Sequence, residues 1–194
     1  MISIERDSSG RTYQIWKQAQ QNSCGVASTW MARGIARQMS IGEDEWDLAI
    51  RMYRAAIGGA LGAVGVSGGP QSLNPDAFAN DQSSMASTYA NVGMYSSQLA
   101  AALRSEGLSV DHNGGDGTGQ KIAHNKIAIN KPAIAFIYWT GTGGHFIVVG
   151  RATQGLVSYL DPWDGRVNEQ ANNGKYHARY GDRGIVGEVL YISA

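Results

Sequence analysis

The pattern of apolar positions divides this chain into a helical first part and a strand-rich last third. From Cys24, the stretch CGVASTWMARGIARQM sets Val26, Trp30, Ile35 and Met39 as inward positions of a helix, with Asn22 and Ser23 ahead of it as caps. Arg33 and Arg37, four apart, are expected on its solvated side. A second helix is expected from Glu43 to Ile57, where Trp46, Ala49, Ile50, Tyr53 and Ile57 follow the 3.6-residue period. Glu43, Asp44 and Glu45 stand in its first turn, where the helix dipole favours acids. Ser96 or Ser97 caps a third helix running through Glu106, with Leu99, Ala102 and Leu103 inside and Gly107 at its end. Gln120 to Asn130, carrying Ile122, Ile127 and Ile129, reads as a fourth, stopped by Pro132. The last third reads as antiparallel sheet: strands over Ala133–Trp139, His145–Arg151, Leu156–Leu160 and Ile185–Ile192. A turn spans Thr140 to Gly144, a loop spans Asp161 to Gly165, and Leu108 to Asp111 could add a short strand. Helices first and sheet last is an α+β order.

One stretch fits neither period. Between Ala55 and Leu103 there is no Lys or Arg, and Asp76 and Asp81 are the only acids. Gly, Ser, Ala and Asn dominate from Gly58 to Ser97, which reads as a long ordered loop with short helical pieces, or as a lid over a site. The chain has 194 residues, which suits one domain over 1–194, built as two halves around a cleft. At that length roughly 70% of the unfolded surface can be buried, so no metal or disulfide staple is needed. Sixteen basic and sixteen acidic residues cancel. That argues against nucleic acid as a partner, which needs clustered Lys and Arg, and against a polybasic membrane tether. The 26 glycines are about twice the usual ~7% and predict many turns and close backbone approaches. No apolar run approaches the ~20 residues of a membrane span, and the start carries Glu5, Arg6 and Asp7 instead of a signal peptide. The expectation is a soluble protein, cytoplasmic or exported without an N-terminal signal.

Cys24 is the single cysteine, so it forms no intrachain disulfide and builds no multi-Cys zinc site. Its place at the start of a helix suits a reactive thiolate, because a helix N-terminus and a nearby imidazolium both lower a thiol pKa. His145 can supply the imidazole. It follows Gly143-Gly144 at the mouth of the apolar strand Phe146-Ile147-Val148-Val149. Asp161, at the end of the next strand, is the candidate to hold the imidazole tautomer, with Asp164 as the alternate. An oxyanion hole could use a backbone N–H near Cys24 and the side-chain amide of Gln18, Gln20 or Gln21.

Gln18 lies six positions before Cys24, and the order Gln18, Cys24, His145, Asp161 resembles the papain-like cysteine peptidase superfamily. Gly144-His145-Phe146-Ile147-Val148-Val149-Gly150 is similar to the histidine strand of its small bacterial members. These include staphopain-like enzymes and the leader peptidases that process double-glycine bacteriocin precursors. Asp161-Pro162-Trp163 stands at the place of the family's third residue, and Trp163 resembles a tryptophan that shields that hydrogen bond in papain. The resemblance spans Gln18 to Gly165. It implies a papain-like fold, a thiol peptidase acting on protein or peptide substrates, no cofactor and no metal, with Cys24, His145 and Asp161 as triad and Gln18 as oxyanion donor. The chain departs from the plant enzymes in three ways. Cys24-Gly25-Val26-Ala27 lacks their second cysteine, the gap from Cys24 to His145 is shorter than ~130–150 residues, and the third residue is Asp rather than Asn.

The plain alternatives are a buried structural thiol at Cys24, a strand-end histidine, a turn aspartate, a solvated Gln18 and a core Trp163. Gly65-Val66-Ser67-Gly68-Gly69 matches G-x-S-x-G but lacks the buried strand before it that a nucleophile elbow needs. Ser67-Gly68-Gly69-Pro70 could instead line the cleft. Gly114 to Lys121 lacks the end of a P-loop, and Asp111 to Ile122 fails as a calcium loop. His112, His124 and His177 show no ligand spacing. The rival functions are other acyl chemistry on the same constellation (deamidation, isopeptide cleavage or acyl transfer, as in a bacterial effector or toxin) and a non-catalytic, protease-like binding module.

Overall fold

The structure, a computed structural model, describes residues 1–40, 42–63, 94–141 and 143–194. The chain opens with a hairpin, β1 (Ile2–Arg6) and β2 (Thr12–Trp16). Helices α1 (Cys24–Arg37), α2 (Glu45–Ala63) and α3 (Ser96–Ser105) follow. Then come β3 (Ser109–Asn113), β4 (Ala133–Trp139), β5 (Gly144–Ala152), β6 (Leu156–Asp161), β7 (Arg166–Ala171), β8 (Lys175–His177) and β9 (Arg183–Ser193). The large sheet runs β3-β9-β4-β5-β6-β7, every pairing antiparallel, with β8 on β9 beside that path. The fold is α+β, a helical half packed against an antiparallel sheet. Helices do not come first, however: the β1–β2 hairpin precedes them.

Period-2 alternation gives the sheet two buried faces. Ile134, Phe146, Val148 and Leu190 point to the helices and join Trp30, Met31, Leu48, Met52, Leu99 and Leu103 in one core. Ala135, Ile137, Ile147, Val149, Tyr159 and Val186 point the other way and close on Ile122 and Tyr176. The β4 expectation holds to the residue, and β5, β6 and β9 differ from theirs only at the ends. α1 starts at Cys24 as expected but ends at Arg37, because Gln38 takes a left-handed φ of 54°. Met39 therefore lies past the helix and is exposed.

Several expectations fail for identifiable reasons. Arg33 is buried rather than solvated, because it pairs with Glu43 and, at 3.0 Å, with Glu106. Ser23 is the first cap of α1 but makes no capping bond; its hydroxyl bonds the Gln20 carbonyl instead. Tyr95, not a serine, caps α3, and its N–H is taken by the Gln98 side chain at 2.9 Å. Gln120–Asn130 is not a helix and holds only a single turn at His124–Lys126. Its backbone groups are claimed by the sheet: Gln120 N–H donates to Val186 O, Ile122 N–H to Asn172 Oδ1, and Ala123 N–H to the Tyr191 hydroxyl. Ile129 is exposed in consequence. The G-x-S-x-G match, the Ser67–Pro70 cleft reading and most of the Gly58–Ser97 stretch lie outside the described residues. Among the described residues no helix is long and apolar enough to cross a membrane.

Candidate active site

Cys24 is the first residue of α1 and half-buried. Two features press its helix against β5. The buried Ser28 hydroxyl donates to Phe146 O at 3.1 Å, and Gly25 faces the Phe146 ring, which a Cβ would meet at 3.4 Å. The first turn of α1 is thereby fixed beside His145, the residue before Phe146. By alternation His145 belongs to the opposite sheet face, with Ile147 and Val149, and Asp161 shares that face with Tyr159. The thiol thus approaches from the helical side of the sheet's end, and the histidine and aspartate from the other.

His145 Nε2 lies 2.7 Å from Asp161 Oδ1, and both residues are buried. His145 and Cys24 also interact electrostatically, each shifting the other's titration, and with Nε2 committed to Asp161 the nitrogen left for the thiol is Nδ1. Asp161 is further held by Trp163 N–H to Oδ1 at 2.8 Å and by the Tyr176 hydroxyl to Oδ2 at 2.6 Å. Asp164 does not compete for the histidine. Its Oδ1 accepts Arg166 N–H at 2.9 Å, and Arg179 approaches Oδ2 at 3.9 Å.

The electrostatics favour separated charge. Burial pushes the Cys24 thiol up. The hydrogen bond and charge of His145, with the Phe146 and Gly25 N–H groups, outweigh it, so the thiol sits below its ordinary value. Burial pushes His145 down, but hydrogen bonds and charges from Asp161 and Cys24 lift it well above an ordinary imidazole. Burial raises Asp161 and its partners, His145 first, bring it below the usual carboxylate range. The three shifts together favour negative charge on the sulfur and the carboxylate and positive charge on the imidazole between them.

Two indoles confine the imidazole ring. Trp139 stacks on it, centroids 5.7 Å apart and planes 16° from parallel, and Trp163 stands edge-on at 6.4 Å. Trp163 remains 41% exposed, so it is a cover over the site and not core. Trp139, Ser28 and Tyr176 were not legible as site residues. The alternation of β4 does, however, place Trp139 on the same face as Ala135 and Ile137.

The Gln18 amide is engaged within its own loop. The backbone N–H of Gln18 donates to Pro162 O at 2.8 Å, which ties its loop to the Asp161 loop. Its side-chain Nε2 donates to the Gln20 and Gln21 carbonyls at 2.7 and 2.9 Å, and Oε1 is buried with no hydrogen-bond partner among the described residues. The same loop is pinned by buried Glu45, which accepts Ala19 N–H at 3.0 Å and the Trp16 indole N–H. Gln21 and Asn22, not Gln18, line the cavity next to Cys24.

That cavity, about 960 Å³, opens over Cys24, His145 and Trp163 and extends along Phe136, Tyr138 and Glu188. The Phe136 ring lies over Gly144, where a Cβ would fall 2.0 Å from Phe136 Cζ, so Gly144 keeps the wall flat beside the histidine. Among the described residues no group of three His, Cys, Asp or Glu side chains is placed to hold a metal ion.

No protein-family model and no curated protein matches the chain. Among solved structures it is similar to the peptidase domain of Streptococcus ComA, a bi-functional ABC transporter involved in a quorum sensing pathway. The TM-score is 0.55 and the identity 12%, over 93% of this chain and 98% of that one. At that identity the likeness is one of fold: the α+β arrangement of a papain-like peptidase domain.

Proposed function

We propose that this chain is a cysteine peptidase, a single domain over 1–194 acting on protein or peptide substrates. The observation that carries the reading is the buried line from Asp161 through His145 to the sulfur of Cys24, at a helix N-terminus and open to the cavity. The Cys24 thiolate attacks a peptide carbonyl carbon and forms a C–S bond. The oxygen takes the negative charge, and its donors are the Cys24 N–H and the Gln18 amide, which must exchange its bonds to Gln20 and Gln21 for one to the oxyanion. As the C–N bond breaks, His145 gives its Nδ1 proton to the leaving amine. The neutral imidazole then takes a proton from water, whose oxygen attacks the thioester and releases the acid and the Cys24 thiolate beside the restored imidazolium. Asp161 stays ionised throughout and steadies the imidazolium. The fold shared with a peptidase domain supports hydrolysis of peptide bonds over other acyl chemistry.

The test is cleavage of a peptide library read by mass spectrometry, with Cys24→Ala as control. Wild type should yield new N-termini and Cys24→Ala none. Products that persist in the variant overturn the thiol mechanism. A wild type whose thiol is alkylated rapidly at neutral pH but which cuts nothing overturns peptidase activity in favour of narrower acyl chemistry.

A further inference from the structure

Tyr176 is fully buried on β8, a three-residue strand that contributes little else to the site. Its ring stands edge-on to Tyr159, centroids 5.1 Å apart, and leans on Trp139, the indole stacked on His145. Packing on both sides leaves its hydroxyl one direction, and at 2.6 Å it meets Asp161 Oδ2. A buried carboxylate needs donors on both oxygens. Oδ1 has His145 and Trp163 N–H, whereas Oδ2 has Tyr176 and, at a marginal 3.4 Å, the partly exposed Tyr180 hydroxyl. Tyr176 is therefore the main partner of the oxygen that faces away from the histidine.

We propose that Tyr176 is a positioning residue of this centre: by donating to Asp161 Oδ2 it orients the carboxylate and shares its charge, and so sets how readily His145 releases its proton. This rests on the cysteine-peptidase reading above. Without that donor the negative charge concentrates on Oδ1 and binds the imidazolium more tightly. An imidazolium held too tightly is a poorer acid toward the leaving amine. The other groups facing this centre are Cys24 from α1, Asp164 and Tyr180 beside Asp161, Asn168 of β7 at the Tyr176 hydroxyl, and Asp182 near Tyr180. None of them supplies a second close donor to Oδ2.

The experiment is an NMR titration of the His145 imidazole in the full chain, alongside the pH profile of kcat/KM. Tyr176→Phe keeps the ring and removes the donor. The His145 midpoint and the alkaline limb should both move up by about half to one pH unit, with kcat lowered and KM unchanged. In an Asp161→Asn background the same substitution should move neither. Site-specific 3,5-difluorotyrosine at position 176 is a stronger donor and should move both downward. This variant retains the hydroxyl and serves if Tyr176→Phe does not fold. A purely structural Tyr176 would lower activity without moving the midpoint, and that result overturns the proposal, as does an equal shift in the Asp161→Asn background. The titration needs no substrate. Shifted midpoints in a chain that cuts nothing overturn only the function, and unmoved midpoints in an active enzyme overturn only the role of Tyr176.

Discussion

At Asp161 the size of the loss depends on what replaces the carboxylate. Asn can still accept a hydrogen bond from His145 and from Trp163 N–H, but it brings no charge. Asp161 helps hold the imidazole above its ordinary value, so its neutral replacement lets His145 lose its proton at lower pH. Asp161→Asn should therefore keep substantial activity while the alkaline limb of kcat/KM moves down. Asp161→Ala should lose more, because Trp139 and Trp163 confine the ring without fixing its rotation. Activity in the order wild type, Asn, Ala is the expected result, and an Ala variant equal to wild type removes Asp161 from the centre. Gln18 allows an equally direct test. Gln18→Ala should cut kcat by roughly 10²–10³ as a lost oxyanion donor, yet leave alkylation of Cys24 unchanged, since that reaction develops no oxyanion. If both reactions fall together, Gln18 acts only as the brace that its bonds to Gln20 and Gln21 describe. The same loss in Asn22→Ala instead would pass the role to Asn22, which already lines the cavity.

Among the elements, the join between α1 and β5 decides whether the thiol meets the histidine. Ser28 makes that join with one buried hydrogen bond. Ser28→Ala should destabilise the protein by about 1–2 kcal/mol, a fall of about 2–4 °C in Tm per kcal/mol at this size. It should also lower kcat/KM, because the first turn of α1 is no longer drawn to Phe146. A stability loss with kcat/KM untouched would show that the helix is placed by core packing alone. This join was hidden in the sequence, where Ser28 reads as one more small helical residue. What was legible followed period and punctuation: the start of α1, all of β4, and the Cys24, His145 and Asp161 set through their places at element ends. β2 left a signal as well, with Tyr13 and Ile15 buried between exposed Thr12 and Gln14 behind the turn at Gly10. β7 and β8 left almost none, since Val167 is the one large aliphatic residue of β7 and β8 is three residues long. Ile122, Ile127 and Ile129 lie five and two apart, which is no helical face, and the sheet had the stronger claim on their backbone. The orientation of the Gln18 amide depends on neighbouring carbonyls, which no spacing rule encodes.

Across the whole molecule, the ion pair should be visible in stability without any substrate. His145 has a folded pKa raised to about 10, against ~6.5 unfolded. Its contribution is complete below ~6.5 and is lost as pH rises toward the folded value. Cys24 has a folded pKa below its ordinary ~8.5, so its contribution is complete above ~8.5 and is lost as pH falls through the folded value. Where the folded thiol is already ionised and the unfolded one is not, the unfolded chain holds one proton on the thiol and the folded chain holds one on the imidazole. Proton counts match, and this pair contributes no slope there. Cys24→Ala removes one side of the balance. The unfolded variant then holds no proton on this pair above ~6.5, while the folded one keeps the imidazolium over the narrower range that Asp161 supports without Cys24. Its stability should fall with pH at about 1.4 kcal/mol per unit where wild type is level. Other titrating groups act alike in both proteins and cancel in the difference. Urea unfolding of the two proteins from pH 5 to 9.5 makes the measurement. The difference in unfolding free energy should climb with pH above ~6.5, until the variant's imidazole loses its proton or the unfolded wild-type thiol ionises near ~8.5. A difference that stays flat up to pH 8, while the stability of Cys24→Ala itself falls with pH, means that Cys24 is an ordinary protonated thiol in the folded protein. The thiolate–imidazolium pair, and the peptidase mechanism built on it, would then both fall.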